Sequence, residues 1–420
     1  MKKSTFFLIL YVLSGLAVLA FLIKEALGNG DFKVFLEAGR FVAEGDSPYD
    51  YWHPVSKNSM ALYFYSPFWA VLMVPLTWLP QFVANLLWLL ASTWFLYRCW
   101  VLLTSYLPWE TLSQKHRNGV LIFTLVLSIR FVLYNFGMIQ MTIFLLWSGL
   151  ESLHLFQRKR FRQGGLLLAL AINIKLLPLV LVPYLLYRKQ FSATAYTVLF
   201  SLLSLLIPAL FVGWDFNILL HSEWWKAINP TKAEHLVEAD IGLHSLTALI
   251  PTLLTETEGR LPLQRYIINL PIDTAILVLN GCRMALIAGV LFFLKWPPFK
   301  PASNRLLQLR ELSYLFLLIP LIFPHQQKYA FFLMAPALFY LVYYLVEGWN
   351  TKDLRWRVVA VLVSLAFGLT TLTTDGLIGR DLNKITQHYK LITYGALLLI
   401  PAIGLASPKK ELVKSTLSSG

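Results

Sequence analysis

Cysteine, charge and the signatures of soluble enzymes are all scarce in this sequence. Two cysteines in 420 residues, Cys99 and Cys282, both lie inside apolar runs. That excludes a disulfide framework and a cysteine metal site. Charged residues make up 14%, against about 25% in ordinary soluble domains. No HExxH, GxSxG or Walker A pattern occurs. GNGDFK fails as a Gly-rich nucleotide loop, because no strand precedes it and the third glycine is missing. The lack of a nucleotide-binding domain argues against an ATP-driven pump and against a nucleotide-sugar enzyme of the soluble type. Any donor must be reachable from the membrane.

What the chain has instead is apolar length. Apolar residues make up 57%, and mean hydropathy is +0.61. Residues 6–23 carry no charge, about the length a bilayer span requires. Similar apolar runs follow at 82–97, 118–129, 131–150, 191–212, 266–294, 312–323, 329–346, 358–374 and 391–407; the 266–294 run contains Asp273 and Arg283, and the last contains Pro401. A spanning segment must satisfy its own backbone hydrogen bonds, so helices are expected. A β-barrel would show ten-residue alternation instead. The expectation is an all-α integral membrane protein, one polytopic bundle of about 11–13 spans. Lys2, Lys3 and the sequence Ala26-Leu27-Gly28 give the first run some likeness to a signal peptide. Its length, Lys24, Glu25 and the later spans favour an uncleaved anchor.

The net charge of +14 is read as loop retention in the cytoplasm rather than nucleic-acid binding. With an inside N-terminus, the inner segments are 105–117, 157–163, 187–190, 295–311, 347–357 and 408–420. With Lys2 and Lys3 they hold 20 Lys and Arg. The outer loops, 28–60, 213–262 and 375–390, hold 9 Lys and Arg but 14 Asp and Glu. This sign matches the positive-inside rule and places the chain as a multi-pass protein of the inner (plasma) membrane. Parity requires two adjustments. Residues 61–80, with three prolines, form a juxtamembrane or re-entrant segment. Residues 164–187 turn back near Lys175 and Pro178 as two half-helices, since a break at membrane depth is tolerated where it lines a cavity. One straight span is the alternative.

Candidate chemistry collects at the outer side. In GNGDFKVFLEAGRFVAEGDSPYD, residues 28–50, the spacing sets Phe32, Phe35, Leu36, Ala38 and Gly39 on one helical face. That predicts a helix lying in the interface, followed by a turn through Tyr49. Asp31 stands at the start of this helix, as its N-cap, as a catalytic acid, or as both. Lys175 lies in LALAINIKLLPLV, where an unpaired ammonium costs at least about 2.5 kcal/mol. It is read as a counter-charge for a phosphate, or as a snorkelling lysine. His325 follows Pro324 and opens a polar knot with Gln326, Gln327, Lys328 and Tyr329. Asn135, Gly137 and Gln140 interrupt another run, and Tyr63, Tyr65 and Pro67 belong to the re-entrant segment.

These motifs, in this order, resemble the GT-C class of membrane glycosyltransferases. The chain is most similar to glycosyltransferase family 87, with its polyprenyl-phosphate-mannose-dependent α-mannosyltransferases. The likeness rests on the Asp after the first span with its GxxPY turn, on YFYSPFWAVLMVPL and on FGMIQMTIFLLW. It continues through GGLLLALAINIKLLPLVLVPYLLYRKQ and IPLIFPHQQKYAFFLMAPAL. It implies a GT-C-like bundle with juxtamembrane helices on the outer side. The donor would be a hexose, mannose-like, on a polyprenyl phosphate, and the acceptor a lipid or glycan hydroxyl. Asp31 would be the base, and Lys175, His325 and Tyr65 would bind the donor phosphate. Gln140, Tyr49, His244 and Gln326 would bind substrate, with the site on the outer (periplasmic) face and displacement inverting. Here Gly137 and Gln140 are separated by Met138-Ile139, a departure from the family's Gly-Gln-x-Asn. No cofactor or metal site is indicated; some relatives in the wider class use a divalent cation and others none. The rival reading is a secondary transporter or flippase of a lipid-linked or anionic substrate. Such a protein would show a polar path from both faces and an inverted repeat.

Overall fold

The computed structural model describes residues 3–56, 59–294, 299–300 and 304–407. The chain is helical almost throughout. Helix α1 (Lys3–Ala26) leads into α2 (Phe32–Glu44). A small antiparallel hairpin, β1 (His53–Ser56) and β2 (Ser59–Ala61), is the exception to the all-α expectation. Then come α3 (Pro67–Thr77), α4 (Gln81–Thr104), α5 (Gln114–Gly137) and α6 (Thr142–Gln157). A broken pair follows, α7 (Phe161–Ile174) and α8 (Leu181–Tyr187). Next are α9 (Phe191–Leu206), α10 (Ala209–Val212), α11 (Trp214–Ile228), α12 (Leu246–Leu254) and α13 (Ile272–Leu294). The last third holds α14 (Arg305–Ile322), α15 (Ala335–Glu347), α16 (Leu354–Thr370), α17 (Asp375–Ile378), α18 (Arg380–His388) and α19 (Leu391–Leu405).

Local chemistry fixes these boundaries. The α2 face expected from spacing is the buried one, joined by Val34 and Val42. Gly45 ends the helix with φ +83° and donates to Phe41 and Val42, a left-handed cap open to glycine without strain. Ser66 caps α3 by accepting from the Trp69 amide, with Pro67 in the first turn. α3 crosses α2 where a Cβ on Gly39 would sit 3.1 Å from Met73. Its 11 residues reach about 16 Å, too short to cross, as expected for 61–80.

Among the described residues five helical stretches have the length and hydropathy of spans: Gln81–Thr104, Gln114–Gly137, Phe191–Val212, Ile272–Leu294 and Lys328–Asn350. A sixth forms if α18 and α19, bent by 60°, count as one. The expected figure of 11–13 is larger because several apolar helices stop short. α6 has 16 residues and α16 has 17, while α14 has the length but carries Arg305, Arg310 and Glu311. The Lys328–Asn350 stretch is 83% buried and the Ile272–Leu294 stretch 11% buried. The first is therefore the core of the bundle and the second its lipid-facing flank.

Hydrogen bonds sort the loops to two ends. At one end Arg305 donates to the Ser105 carbonyl, and Gln157 to Gln308 at 2.9 Å. There Arg188 donates to Glu311 (Nε, 3.1 Å) and to the Leu294 carbonyl (2.7 Å). At the other end Asp31 meets Met138, Ser47 meets Glu223, and Lys390 reaches Asp240. The same bonds decide the path of 164–187. Residues 157 and 188 both meet the first turns of α14, so the chain leaves and returns at one end. α9 then runs alongside α7 in the same sense. A Cβ on Gly165 would meet Tyr196 and Thr197, and Asn173 reaches the Ser201 carbonyl. The segment is a hairpin, not a straight span.

Candidate functional site

Asp31 is placed by a glycine. A Cβ on Gly30 would lie 2.7 Å from the Met138 carbonyl oxygen, so only glycine lets the loop after α1 press on the α5–α6 turn. There the Asp31 amide donates to that carbonyl at 2.9 Å. The turn brings Gln140 with it, and the Gln140 side-chain amide donates to the Asp31 carboxylate. Asp31 occupies the N-cap position of α2, but at φ −64°, ψ −14° its side chain makes no capping bond. Capping needs an extended backbone, so the cap reading is corrected: the carboxylate turns to Gln140 instead. Burial pushes the Asp31 pKa up to about 6, against the pull of the Gln140 hydrogen bond and the Lys175 charge.

Lys175 arrives at the same place from the broken pair. It closes α7 in extended conformation, φ −147° and ψ 128°, which frees the side chain from the helix. Its ammonium sits 5.6 Å from the Tyr65 ring centre and 5.9 Å from that of Tyr329, within cation–π range. Tyr65 is held by Phe35, with ring centres 4.6 Å apart, and its carbonyl accepts from the Tyr49 hydroxyl at 2.7 Å. Four expected residues, Asp31, Gln140, Lys175 and Tyr65, therefore converge, with Tyr49 behind them.

His325 belongs to a second cluster. It adopts φ +57° and stacks on Phe64 with ring centres 5.0 Å apart. Its Nδ1 is 2.9 Å from Glu238, its amide donates to the same carboxylate, and its Nε2 faces His235. Glu238 also accepts from Ser245 (2.9 Å) and Thr247 (2.7 Å). Burial opposes its ionisation, yet the His325 ring and amide and the Thr247 hydroxyl hold it below the ordinary value. The partner of His325 is thus Glu238, not Asp31. The two clusters are neighbours through consecutive residues, Phe64 and Tyr65.

Three expected substrate ligands are enclosed instead. His244 is 0% exposed, edge-on to Phe331, and its amide donates to the Gln326 carbonyl. Burial, followed by Lys390, Lys328 and Arg130, pushes its imidazole well down, leaving it neutral. Gln326 donates to the Pro324 carbonyl, and Tyr49 is spent on Tyr65. All three are buried. Sequence reasoning missed Glu238 and Tyr134. Glu238 gave no local signal, being one of three acids within Glu234–Asp240. Cavities of about 30 and 270 Å³ open at the opposite end, around Tyr340 and around Arg188, away from Asp31. Among the described residues no group of three or more His, Cys, Asp or Glu could hold a metal ion.

The family model of glycosyltransferase family 87 matches residues 63–324, more than half of the chain. The match takes in Tyr65, Gln140, Lys175, Glu238 and His244, stops one residue before His325, and begins after Asp31. No curated protein and no solved structure matches.

Proposed function

The chain belongs to glycosyltransferase family 87, and from that premise we propose which transfer this membrane glycosyltransferase performs. It moves a hexose, mannose-like, from a polyprenyl phosphate to a hydroxyl of a lipid or glycan acceptor at the outer face of the plasma membrane. The observation that carries this reading is the Asp31 carboxylate, with a pKa of about 6, bonded to Gln140 and drawn down by the Lys175 charge. An acid with that pKa is ionised at neutral pH yet basic enough to take a proton.

The acceptor oxygen attacks the anomeric carbon as its proton passes to Asp31. The bond from that carbon to the phosphate oxygen breaks on the opposite side, so configuration inverts. The electron pair leaves with polyprenyl phosphate. Lys175, whose ammonium has no hydrogen-bonded partner among the described residues, stabilises the charge that develops on the phosphate. Tyr65 steadies that ammonium, and His325, fixed by Glu238, supplies a second donor-side group. Because Asp31 precedes the family match, its role rests on where the fold puts it.

The test is direct. Purified protein in liposomes is given labelled polyprenyl-phosphate mannose, polyprenyl-phosphate glucose or a nucleotide sugar. Transfer from a lipid phosphate is expected. Transfer from the nucleotide sugar alone would overturn the donor assignment.

A further inference from the structure

Beyond Lys175 the aromatic contacts continue. Tyr329, over which Lys175 lies, stacks on Tyr134 with ring centres 6.4 Å apart and planes 17° from parallel. On Tyr134 rests a second ammonium, that of Lys328, 5.1 Å from the ring centre. Two lysines thus bracket one stacked tyrosine pair. Neither has a hydrogen-bonded or ion-paired partner among the described residues. Arg130 lies close enough to Lys328 to act on it electrostatically. The Arg130 guanidinium is locked in place by the Thr370 carbonyl and by Thr373 Oγ1 at 2.6 Å. One exposed carboxylate, Asp375, acts on both cations, and His244 beside them is neutral. A buried guanidinium beside a half-buried ammonium, so poorly compensated, is costly unless a ligand brings the missing negative charge.

We infer that Lys328 and Arg130 form a second anion subsite, which holds a phosphate carried by the acceptor lipid. The inference rests on the proposed function, because Lys175 is already assigned to the donor phosphate. Position favours the acceptor: the Asp31 carboxylate acts on both Tyr134 and Tyr329. A hydroxyl lying across the tyrosine pair is therefore within its field while its phosphate rests on Lys328. A lipid is favoured over a soluble phosphate because Lys328 opens the Lys328–Asn350 candidate span. That places the cation where a headgroup would meet the apolar layer.

The test uses the full chain in zwitterionic bicelles and calorimetric titration with dioctanoyl phosphatidylglycerol, an uncharged dioctanoyl glycolipid, farnesyl phosphate and inorganic phosphate. Phosphatidylglycerol is expected to bind and the glycolipid not. Lys328→Met should weaken phosphatidylglycerol about tenfold or more, the scale of one lost charged hydrogen bond, and Lys328→Arg should restore it. Should Lys328→Met fail to fold, the wild type still answers, since a charge-held headgroup must weaken as salt rises. Unchanged binding in Lys328→Met, salt-independent binding, equal binding of the glycolipid, or displacement by inorganic phosphate at the same concentration would each overturn the subsite. Farnesyl phosphate separates the two readings. It should depend on Lys175 and not on Lys328, and indifference to Lys175→Met would fault the donor assignment alone.

Discussion

Asp31 and Glu238 are both shielded carboxylates at the same end of the bundle, and they have opposite proton affinities. Glu238 receives two hydroxyls, one backbone amide and the His325 ring. Asp31 receives one side-chain amide and the field of Lys175. Burial opposes ionisation of both; only Glu238 receives enough donors to be held below its ordinary value. The contrast separates a group that can accept a proton near neutrality from one that anchors a neighbour. Donor count, not depth, makes the distinction.

The sharpest way to break this contrast is Asp31→Asn. General-base catalysis supplies about 10²–10⁴-fold, so sugar transfer is expected to fall by that factor while membrane insertion is retained. Near-normal transfer by the purified variant would remove Asp31 from the base role. Next in size is Lys175→Met, expected to lower kcat/KM by about 10²-fold, as loss of one preorganised charge does. If only KM moved, the ammonium would serve binding rather than the transition state.

A pH profile sharpens the comparison further. Asp31 must be ionised to act, so kcat/KM should rise with pH and level off above about 6. Gln140→Leu removes a hydrogen bond that favours the carboxylate, so the inflection should move to higher pH; a shift the other way would contradict the assignment. The smallest effect is expected at Glu238→Gln. Activity should fall less than the Asp31 variant, while stability drops by about 1–3 kcal/mol, because buried donors lose their charged acceptor. Denaturation at matched lipid composition reads this directly.

Much of the fold was legible because membranes impose simple rules. Apolar runs marked helices, the 3.6 period of 32–44 gave the buried face of α2, and Lys175 with Pro178 marked the reversal. The number of full spans was not legible, because hydropathy does not say that α6 ends at 16 residues. The candidate site was partly legible: Gln140, Lys175 and Tyr65 stood out as polar or aromatic residues in apolar surroundings, and Asp31 as the acid that opens the amphipathic stretch. Their partners did not. Gln140 lies 109 residues from Asp31, and His325 lies 87 from Glu238. Such pairings depend on how helices dock, which no local pattern encodes. The cap expectation failed for a similar reason, since docking on Met138 holds Asp31 in helical φ and ψ.

Gly30 has an outcome for inheritance as well as for packing. The reach of the first helix toward the α5–α6 turn is set by the hydrogen where other residues carry a methyl. A codon change to alanine there would leave every reactive group encoded and intact, yet push the loop from its seat. Such an allele would score in a genetic screen as a catalytic null, though its lesion is one carbon atom in a hinge.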